Sequence, residues 1–260
     1  MRRKGVRGIV KIILITGHGE NVGAKTITSG LVSALRTQGI SALALDLCPS
    51  NLLRLHFGMD PENEDGLARS IIDRRPFESA NYRSREGIDF LPFGKISHDE
   101  YRQLIDWTLR NPGWLKQWAM RLDLPSDSFL ICHAPATSHE LWQDILDSAW
   151  QLKIFVLDAL TLLRMEQAAR NDSRSSDTKK KWIINGFDTN RILDRDAELV
   201  VRAHFKERIA PVTLHRDEHH REALAQYITI HAYAPSSQGA HDMTKLALWL
   251  IHNIEADHLL

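Results

Sequence analysis

A glycine-rich segment that ends in a lysine and a threonine carries the clearest chemistry in this sequence. It reads GHGENVGAKT and runs from Gly17 to Thr26. From Gly19 onward it matches the phosphate-loop pattern G-x-x-x-x-G-K-[ST], except that Ala24 replaces the second glycine. In such a loop, backbone N–H groups at a helix N-terminus stabilise phosphate, the lysine reaches the β- and γ-phosphates, and the hydroxyl binds magnesium. The segment therefore predicts a phosphate-binding loop centred on Lys25 and Thr26.

The alternative interpretation of this segment is a glycine-rich turn that joins a strand to a helix and binds no ligand. The Cβ of Ala24 favours this alternative, because a side chain there crowds backbone that must approach phosphate closely. The spacing and the adjacent Lys25 and Thr26 favour descent from a phosphate loop. Activity depends on residues elsewhere in the chain.

A strand, a helix and a second strand must position this loop. The β-branched run from Ile9 to Thr16 is typical of a strand that is buried on both faces in a parallel sheet. Thr26 to Arg36 places apolar residues at helical spacing, and Ser41 to Leu47 is the next strand. The three elements form a βαβ unit, which is right-handed in nearly all proteins.

The rest of the chain repeats this alternation. Further strands are expected at Ile88–Leu91, Ser128–Cys132, Lys153–Leu157, Lys181–Ile184 and Ile209–Leu214. Further helices are expected at Asp65–Asp73, Asp99–Arg110, Trp114–Leu122, His139–Ala149 and Asp242–Ile254. The pattern predicts an α/β fold with a doubly wound, mainly parallel sheet of about seven strands. We expect a single domain over residues 1–260, with residues 1–8 a flexible basic arm and the polar run Asn171–Lys181 a loop.

Composition limits the function classes. The 260 residues are 43% hydrophobic and 25% charged, which is enough apolar matter for a sizeable core and argues against disorder. Lysine plus arginine and aspartate plus glutamate each total 33, so no basic surplus supports nucleic acid as a partner. Cys48 and Cys132 cannot form a disulfide framework, and no apolar run has the length of a transmembrane helix. We therefore expect a cytoplasmic protein.

Three more segments carry a resemblance to a known family. They are Asp46–Leu55 (DLCPSNLLRL), Leu91–Gly94 (LPFG) and Pro211–Glu218 (PVTLHRDE). With the loop, they resemble the MinD/ParA-type deviant P-loop ATPases of the SIMIBI class, and among these most of all the cellulose biosynthesis protein BcsQ (YhjQ) family. The resemblance covers nearly the whole chain. It implies a MinD/ParA-like P-loop domain, a dimer, and ATP or ADP with Mg²⁺ as cofactors.

The resemblance also identifies departures from the ATPase pattern in the loop. The family loop reads roughly K-G-G-V-G-K-T-T, and its first lysine reaches the nucleotide of the partner subunit. An ungapped alignment puts Gly19 at this position and Ala24 at the P-loop lysine, whereas a shift by one residue puts Glu20 and Lys25 there. We prefer the shifted alignment because only it keeps a cation on the phosphates. Neither alignment supplies the first lysine.

Acidic positions of the family are changed as well. Asp46 matches the first acid of a D-x-D pattern near the γ-phosphate and is our candidate catalytic residue, whereas Cys48 stands at the second acid. His133 stands where the Walker B aspartate is expected, and imidazole supports magnesium poorly. The resemblance therefore implies weakened binding of ATP or ADP and Mg²⁺, with slow or absent hydrolysis. The alternative is that Cys48 and His133 are ordinary residues at strand ends and have no role in a nucleotide site.

Two positions lie on the base side of the resembling sites. Asn185 follows a strand and matches the asparagine that recognises adenine, although a turn-forming asparagine has the same appearance. Pro211 begins the second base-side loop. The predicted cofactor-binding residues are Gly19, Asn21, Val22, Gly23, Ala24, Lys25, Thr26, Thr28, Asn185 and Pro211, and Thr26 is also the predicted magnesium ligand.

The resemblance implies an accessory or regulatory protein of bacterial cellulose biosynthesis and secretion, with a degenerate ATP site and a function carried mainly by protein–protein contacts. Its partners would be a second subunit, in a homo- or heterodimer, and cellulose-secretion components at the inner membrane, which would hold it peripherally. The alternative is an active MinD/ParA-type ATPase whose ATP-dependent dimerisation switches partner binding. A dethiobiotin-synthetase-like ligase shares the opening of the loop, but the Asp46–Leu55 segment argues against it.

Two other groups of residues have competing interpretations. The HRDEHH run from His215 to His220 suggests a metal site, but a polar loop is favoured because no second ligand cluster lies nearby in the sequence. Trp107, Trp114 and Trp118 lie in the split helical segment. Core packing is favoured for them over a partner-binding surface.

Overall fold

The computed structural model describes residues 10–19, 21–122, 124–125, 127–136, 150–157, 160–171 and 180–257. Its strands are β1 (Lys11–Gly17), β2 (Ala42–Asp46), β3 (Tyr82–Arg83), β4 (Asp89–Leu91), β5 (Phe129–Ala134), β6 (Trp150–Val156), β7 (Lys180–Phe187) and β8 (Ile209–His215). Its α-helices are α1 (Ala24–Thr37), α2 (Leu67–Ile72), α3 (His98–Arg110), α4 (Trp114–Ala119), α5 (Thr161–Asn171), α6 (Ile192–Phe205), α7 (His219–Ala225), α8 (Ile230–Tyr233) and α9 (Gln238–Asp257). Short 3-10 helices span Leu53–Phe57, Phe77–Ala80 and Lys206–Arg208.

Across the described residues these strands form one eight-stranded sheet. Its order is β3-β4-β2-β5-β1-β6-β7-β8, and every pair is parallel except β3 with β4. The predicted doubly wound, mainly parallel α/β sheet is therefore confirmed. The strand beyond the expected seven is β3, whose two residues are too short for a periodic pattern in the sequence.

The first strand shows why the sheet is covered on both faces. Side chains alternate along a strand, so Ile13 and Ile15 enter one core while Ile12 and Leu14 enter the other. Because all four are apolar, both faces of β1 must be covered, which places it centrally, between β5 and β6. The loop after β1 thus leaves the carboxyl edge near the middle of the sheet, where open α/β sheets bind ligands.

Helices cover both faces. The core on one face includes residues of α1, α8 and α9, and α1 packs directly along α9. On the opposite face, α2, α3 and α4 cover β2, β4 and β5. The alternation of Ile183 with Trp182 and Ile184 in β7 places the third core, which includes residues of α5 and α6, on that second face as well.

Most predicted elements are present with shifted ends. The first helix starts at Ala24, two residues before the expected Thr26, and the last helix is longer than predicted at both ends. The sequence analysis missed α5, α6, α7 and α8. In α6, apolar side chains on the exposed face blur the amphipathic contrast. The predicted helix at His139–Ala149, the arm of residues 1–8 and residues 172–179 of the predicted polar loop lie outside the described residues.

The tryptophans of the split helical segment pack in the core, as the sequence analysis predicted. Trp114 and Trp118 are 7% and 6% exposed, and Trp107 packs against the same core. The ring of Phe77 makes edge-to-face contacts with all three indoles. The core interpretation is confirmed. Across the described residues, none of the helices has the length and apolar character needed to span a bilayer.

Candidate functional site

The predicted phosphate loop lies between β1 and α1 and has the backbone of a cradle. Gly19, Asn21 and Gly23 have φ angles of 121°, 57° and 91°, in the region that favours glycine and tolerates asparagine. Gly23 caps α1, and the N–H of Ile27 already donates to its carbonyl at 2.9 Å. The N–H groups of the first helical turn are therefore left for a ligand at the mouth of the loop.

Two glycines of the loop leave no space for a side chain. A Cβ added to Gly17 would lie 2.5 Å from Val22 Cγ2, and one added to Gly23 would lie 2.4 Å from the Asn185 amide nitrogen. This amide, at the end of β7, donates to the backbone oxygen of Val22 over 2.9 Å. Asn185, predicted to recognise adenine, thus holds the loop backbone in place.

A cavity of about 470 Å³ opens at the loop. It is lined by residues of the loop, of the segment after β2, of β5 and the turn after it, and of α7: Gly17, Gly19, Asn21, Val22, Gly23, Ala24, Lys25, Thr26, Cys48, Ser50, Leu52, His56, His133, Ala134, Pro135, Ala136 and Leu224. None of these described lining residues is acidic. Two of the three ionisable nitrogen side chains, Lys25 and His133, come from positions that the sequence analysis singled out. The electrostatics of the cavity favour an anion.

Lys25 is the permanent cation among the described residues that line the cavity. It lies in the first turn of α1, is partly exposed, and has no ion-pair partner among the described residues. Thr26, the next residue, also lines the cavity. An unpaired lysine beside free helix N–H groups is the arrangement that binds phosphate in a P-loop, so the predicted pair is in place.

Asp46 at the end of β2 and His133 in β5 form a buried pair at the wall of this cavity. They are register partners in adjacent strands. His133 Nδ1 lies 2.9 Å from Asp46 Oδ1, and the side chains are 4% and 1% exposed. Asp46 also accepts from the backbone N–H of Cys48 at 3.0 Å and of Leu53 at 3.3 Å. Because an ionised carboxylate only accepts, the imidazole Nδ1 carries the hydrogen of this pair.

His56 is a cavity residue that the sequence analysis missed. It belongs to the 3-10 helix Leu53–Phe57, and only 5% of it is exposed. Its Nδ1 lies 3.2 Å from Ser29 Oγ, which itself donates to the Thr26 carbonyl at 3.0 Å. The single hydroxyl hydrogen is thereby used, so the imidazole donates to Ser29. The sequence gives no local signal for this burial, because the histidine stands among alternating apolar residues in an irregular segment.

His56 is uncharged at neutral pH. Burial is the largest cause that lowers its pKa, and the positive charges of His220, Lys25 and His133 lower the pKa further, to about 4. The carboxylate of Asp46 acts in the opposite direction and is the weakest of these influences. Among the described lining residues, the permanent positive charge therefore comes from Lys25.

Other predicted site residues lie elsewhere. Thr28 is fully buried in α1 and donates its hydroxyl to the Ala24 carbonyl over 2.8 Å, outside the cavity lining. Pro211 lies on the edge strand β8, beside a separate cavity of about 380 Å³ that Glu198 and Arg202 also line. Glu20, at the position of the missing first lysine, lies outside the described residues.

The histidines of the HRDEHH run have separate partners. His215 Nδ1 pairs with the buried Asp242 at 2.8 Å, and His219 Nδ1 pairs with Asp217 at 2.6 Å. Asp217 raises the pKa of His219, whereas burial lowers the pKa of His220. No group of three or more metal-ligating side chains occurs among the residues that the structure describes.

The donor set beside the loop does not fit a magnesium ion. Mg²⁺ prefers oxygen ligands, usually one or two carboxylates with waters. Asp46 is buried, and its oxygens accept two backbone N–H groups and the His133 imidazole. The Thr26 hydroxyl remains, and Ser50 Oγ lies 3.2 Å from Cys48 Sγ. No free carboxylate among the described residues completes a magnesium site.

Comparison with known proteins assigns the chain to a family. The family model described as "Cellulose biosynthesis protein BcsQ" matches residues 10–251. The cellulose biosynthesis protein BcsQ of Escherichia coli strain K12 is 28% identical over 254 residues, which cover 93% of this chain and 94% of that protein.

Solved structures share the fold. A ParA family ATPase from Chlorobium tepidum superposes with a TM-score of 0.70 at 17% identity and covers 94% of this chain and 99% of its own. Cobyrinic acid a,c-diamide synthase from Mycobacterium smegmatis, with a bound ATP analogue and magnesium, has a TM-score of 0.72 at 18% identity, with 96% and 97% covered. The fold is that of the MinD/ParA-like P-loop ATPases, and the family match over most of its length places this chain in the cellulose biosynthesis protein BcsQ family.

Proposed function

We propose that this protein is an accessory or regulatory component of bacterial cellulose biosynthesis and secretion that binds nucleotide at a degenerate site and acts through protein–protein contacts. The observation that carries the proposal is the buried Asp46–His133 pair. It stands where an active ATPase of this fold needs carboxylates for magnesium. The cradle and Lys25 remain, so the site keeps what binds phosphate and lacks what cleaves it.

An exposed apolar face on α6 supports a role in protein contacts. Ile192, Leu193, Leu199 and Val200 are between 48% and 70% exposed, and their spacing places them on one side of the helix. The opposite side of α6, with Val201 and Phe205, is buried in the core. Several exposed apolar side chains on one helix face are typical of a surface that another protein covers. The expected occupant is a component of the cellulose-secretion machinery, at which the protein would be held peripherally at the inner membrane.

ATP hydrolysis tests the degenerate site. Purified protein should bind ATP but turn it over very slowly or not at all, because the γ-phosphate lacks metal and a first lysine to stabilise its transition-state charge. Phosphate release is measured for the wild type and for Lys25→Ala. Turnover at a rate of about 1 s⁻¹ or more that Lys25→Ala abolishes would instead support the alternative, an active ATPase that dimerises with ATP.

Partner binding tests the second part of the proposal. Leu199→Glu places a charge in the exposed apolar face of α6 without entering the core, so the fold should be unaffected. The variant should lose cellulose production in cells while the purified protein keeps its melting temperature. Unchanged cellulose output from Leu199→Glu would remove this face from the proposal.

A further inference from the structure

We propose that the cavity at the loop binds the base of a nucleotide against Leu52 and Leu224 and selects bases with an exocyclic amino group, from which His56 Nε2 accepts a hydrogen bond. This inference rests on the proposed function, because it specifies which nucleotide the same site takes. It differs from the prediction made from the family resemblance, which placed the base beside Asn185 and Pro211. Neither of these two is among the described residues that line this cavity.

The two residues predicted for the base side are placed for other roles. The Asn185 amide nitrogen donates to the Val22 carbonyl over 2.9 Å and so holds the loop backbone. Pro211 lines the separate cavity at the edge strand β8. A nucleotide whose phosphates lie at the loop therefore finds other residues of the same cavity beside its base.

Leu52 and Leu224 supply apolar surface in this cavity. Leu52 precedes the 3-10 helix Leu53–Phe57 and is 43% exposed, and Leu224 lies in α7, which contacts that 3-10 helix. Both line the cavity, whose volume of about 470 Å³ is typical of a small-molecule site. Two aliphatic side chains suit the flat face of a base better than a ribose, because the hydroxyls of the sugar lose water there without gaining a partner.

His56 supplies a hydrogen-bond acceptor in the same cavity. Its Nδ1 donates to Ser29 Oγ over 3.2 Å, because the Ser29 hydroxyl hydrogen goes to the Thr26 carbonyl. In an uncharged imidazole the other nitrogen, Nε2, is then a bare acceptor. Nε2 has no hydrogen-bond partner among the described residues, and it is not one of their fully buried unpaired atoms. It therefore reaches open space, and His56 lines the cavity at the loop.

The surroundings of His56 keep this nitrogen an acceptor. Burial is the largest cause that lowers the pKa of the imidazole, and nearby positive charges lower the pKa further, to about 4. At neutral pH the ring thus has no second N–H. An acceptor on a side chain that is only 5% exposed favours a ligand that brings a donor, since a ligand without one leaves the acceptor unpaired. The amino group of adenine or cytosine is such a donor.

Calorimetric titration of the full chain tests the inference with three ligands in one buffer that contains Mg²⁺. They are ATP, purine riboside triphosphate, which has hydrogen in place of the amino group, and inorganic triphosphate. The wild type should bind ATP about tenfold more tightly than purine riboside triphosphate, because the latter leaves Nε2 unpaired. His56→Asn keeps a donor for Ser29 but lacks Nε2, so it should bind both nucleotides equally. His252→Asn, at an exposed position of α9, is the matched control and should keep the preference.

The apolar contact is tested with the same ligands. Leu224→Ala should weaken ATP binding roughly fivefold or more and leave inorganic triphosphate unchanged, because the leucine contacts the base and not the phosphates. Leu248→Ala, which truncates an exposed leucine of α9, is the control and should change neither affinity. If His56→Asn does not fold, this variant and the wild-type preference decide.

Equal wild-type affinities for ATP and purine riboside triphosphate would overturn the inference and leave the proposed function standing. An undiminished preference in His56→Asn would do the same. So would Leu224→Ala if it left ATP binding unchanged or weakened ATP and inorganic triphosphate equally. Absence of binding for all three ligands would overturn the inference together with the nucleotide part of the proposed function.

Discussion

The two walls of the cavity at the loop differ in which groups they leave free for a ligand. On the loop wall, the residues from Gly17 to Thr26 keep the left-handed glycines, the helix N-terminus and the lysine of a phosphate cradle. On the strand-end wall, Asp46 and His133 form a closed pair where acids with free oxygens are expected. One wall has the backbone of a phosphate cradle, and on the other wall the Asp46 oxygens are already paired.

The two walls differ because the first is formed by backbone and the second by single side chains. The loop wall depends on backbone conformation, which glycine φ angles, packing of Val22 and the Asn185 amide together determine. The strand-end wall depends on single side chains, which the β2–β5 register brings together. Phosphate binding can therefore outlast hydrolysis in this fold.

The largest effect is expected from Gly23→Ala in the loop wall. A left-handed φ costs alanine about 1–2 kcal/mol, and the clash with the Asn185 amide adds about 1–3 kcal/mol, so we expect a loss near 4 kcal/mol. Gly39→Ala is the control, because its φ is also positive but nothing lies within 4 Å of the added carbon. Urea unfolding measures both. Equal losses in the two variants would mean that the Asn185 contact has no role.

On the strand-end side, His56 should make the free energy of unfolding depend on pH by about 3 kcal/mol. The reason is that its pKa is lowered from 6.5 to about 4 in the folded protein. The unfolded chain binds more protons in this window, so stability is complete above pH 6.5 and falls as the pH decreases toward 4. His56→Gln removes this titration, and the free energy of unfolding should then depend less on pH between 7.5 and 4.5. Parallel curves for the two proteins would contradict the assignment.

Lys25→Ala should weaken ATP binding without changing the stability of the unliganded fold. The lysine has no ion-pair partner among the described residues, so the free energy of unfolding without ligand should change by less than about 0.5 kcal/mol. Stabilisation by ATP in a thermal-shift assay should disappear, because the cation on the phosphates is gone. Lys116→Ala, at an exposed position on α4, is the control and should keep the shift. An ATP-induced shift that survives in Lys25→Ala would place the nucleotide elsewhere.

A smaller loss of stability than that of Gly23→Ala is expected from Asn185→Ala. It removes one hydrogen bond of 2.9 Å to Val22, worth about 1 kcal/mol of unfolding free energy. Asn253→Ala removes a bond of equal length within α9 and should leave ATP binding intact, whereas Asn185→Ala should weaken it. Combined with Gly23→Ala, Asn185→Ala should also relieve the clash, so the double variant should lose less than the sum of the two. Strict additivity would show that the two residues do not interact.

Much of the fold and part of the candidate site could be predicted from the sequence. Alternating apolar strands and amphipathic helices predicted the doubly wound sheet, because each element must bury the faces that its sequence makes apolar. The Gly17–Thr26 segment predicted the loop, and its spacing located Lys25. The resemblance to the ATPase family singled out His133, because an aspartate is expected at that position. The missed elements include the two-residue β3, which is too short for a pattern, and α6, whose exposed face is apolar.

The sequence determined which chemical groups this site has, and the tertiary structure decided what they bind. Asp46 and His133 are 87 positions apart, and Asn185 is 163 positions from the loop carbonyl it holds. Strand register and sheet order bring such residues together, and neither is encoded in local periodicity. Burial of His56 arises in the same way, from packing of an irregular segment against α1. Local composition fixes donors and charges, but only long-range packing fixes which of them are already paired and which remain free for a ligand.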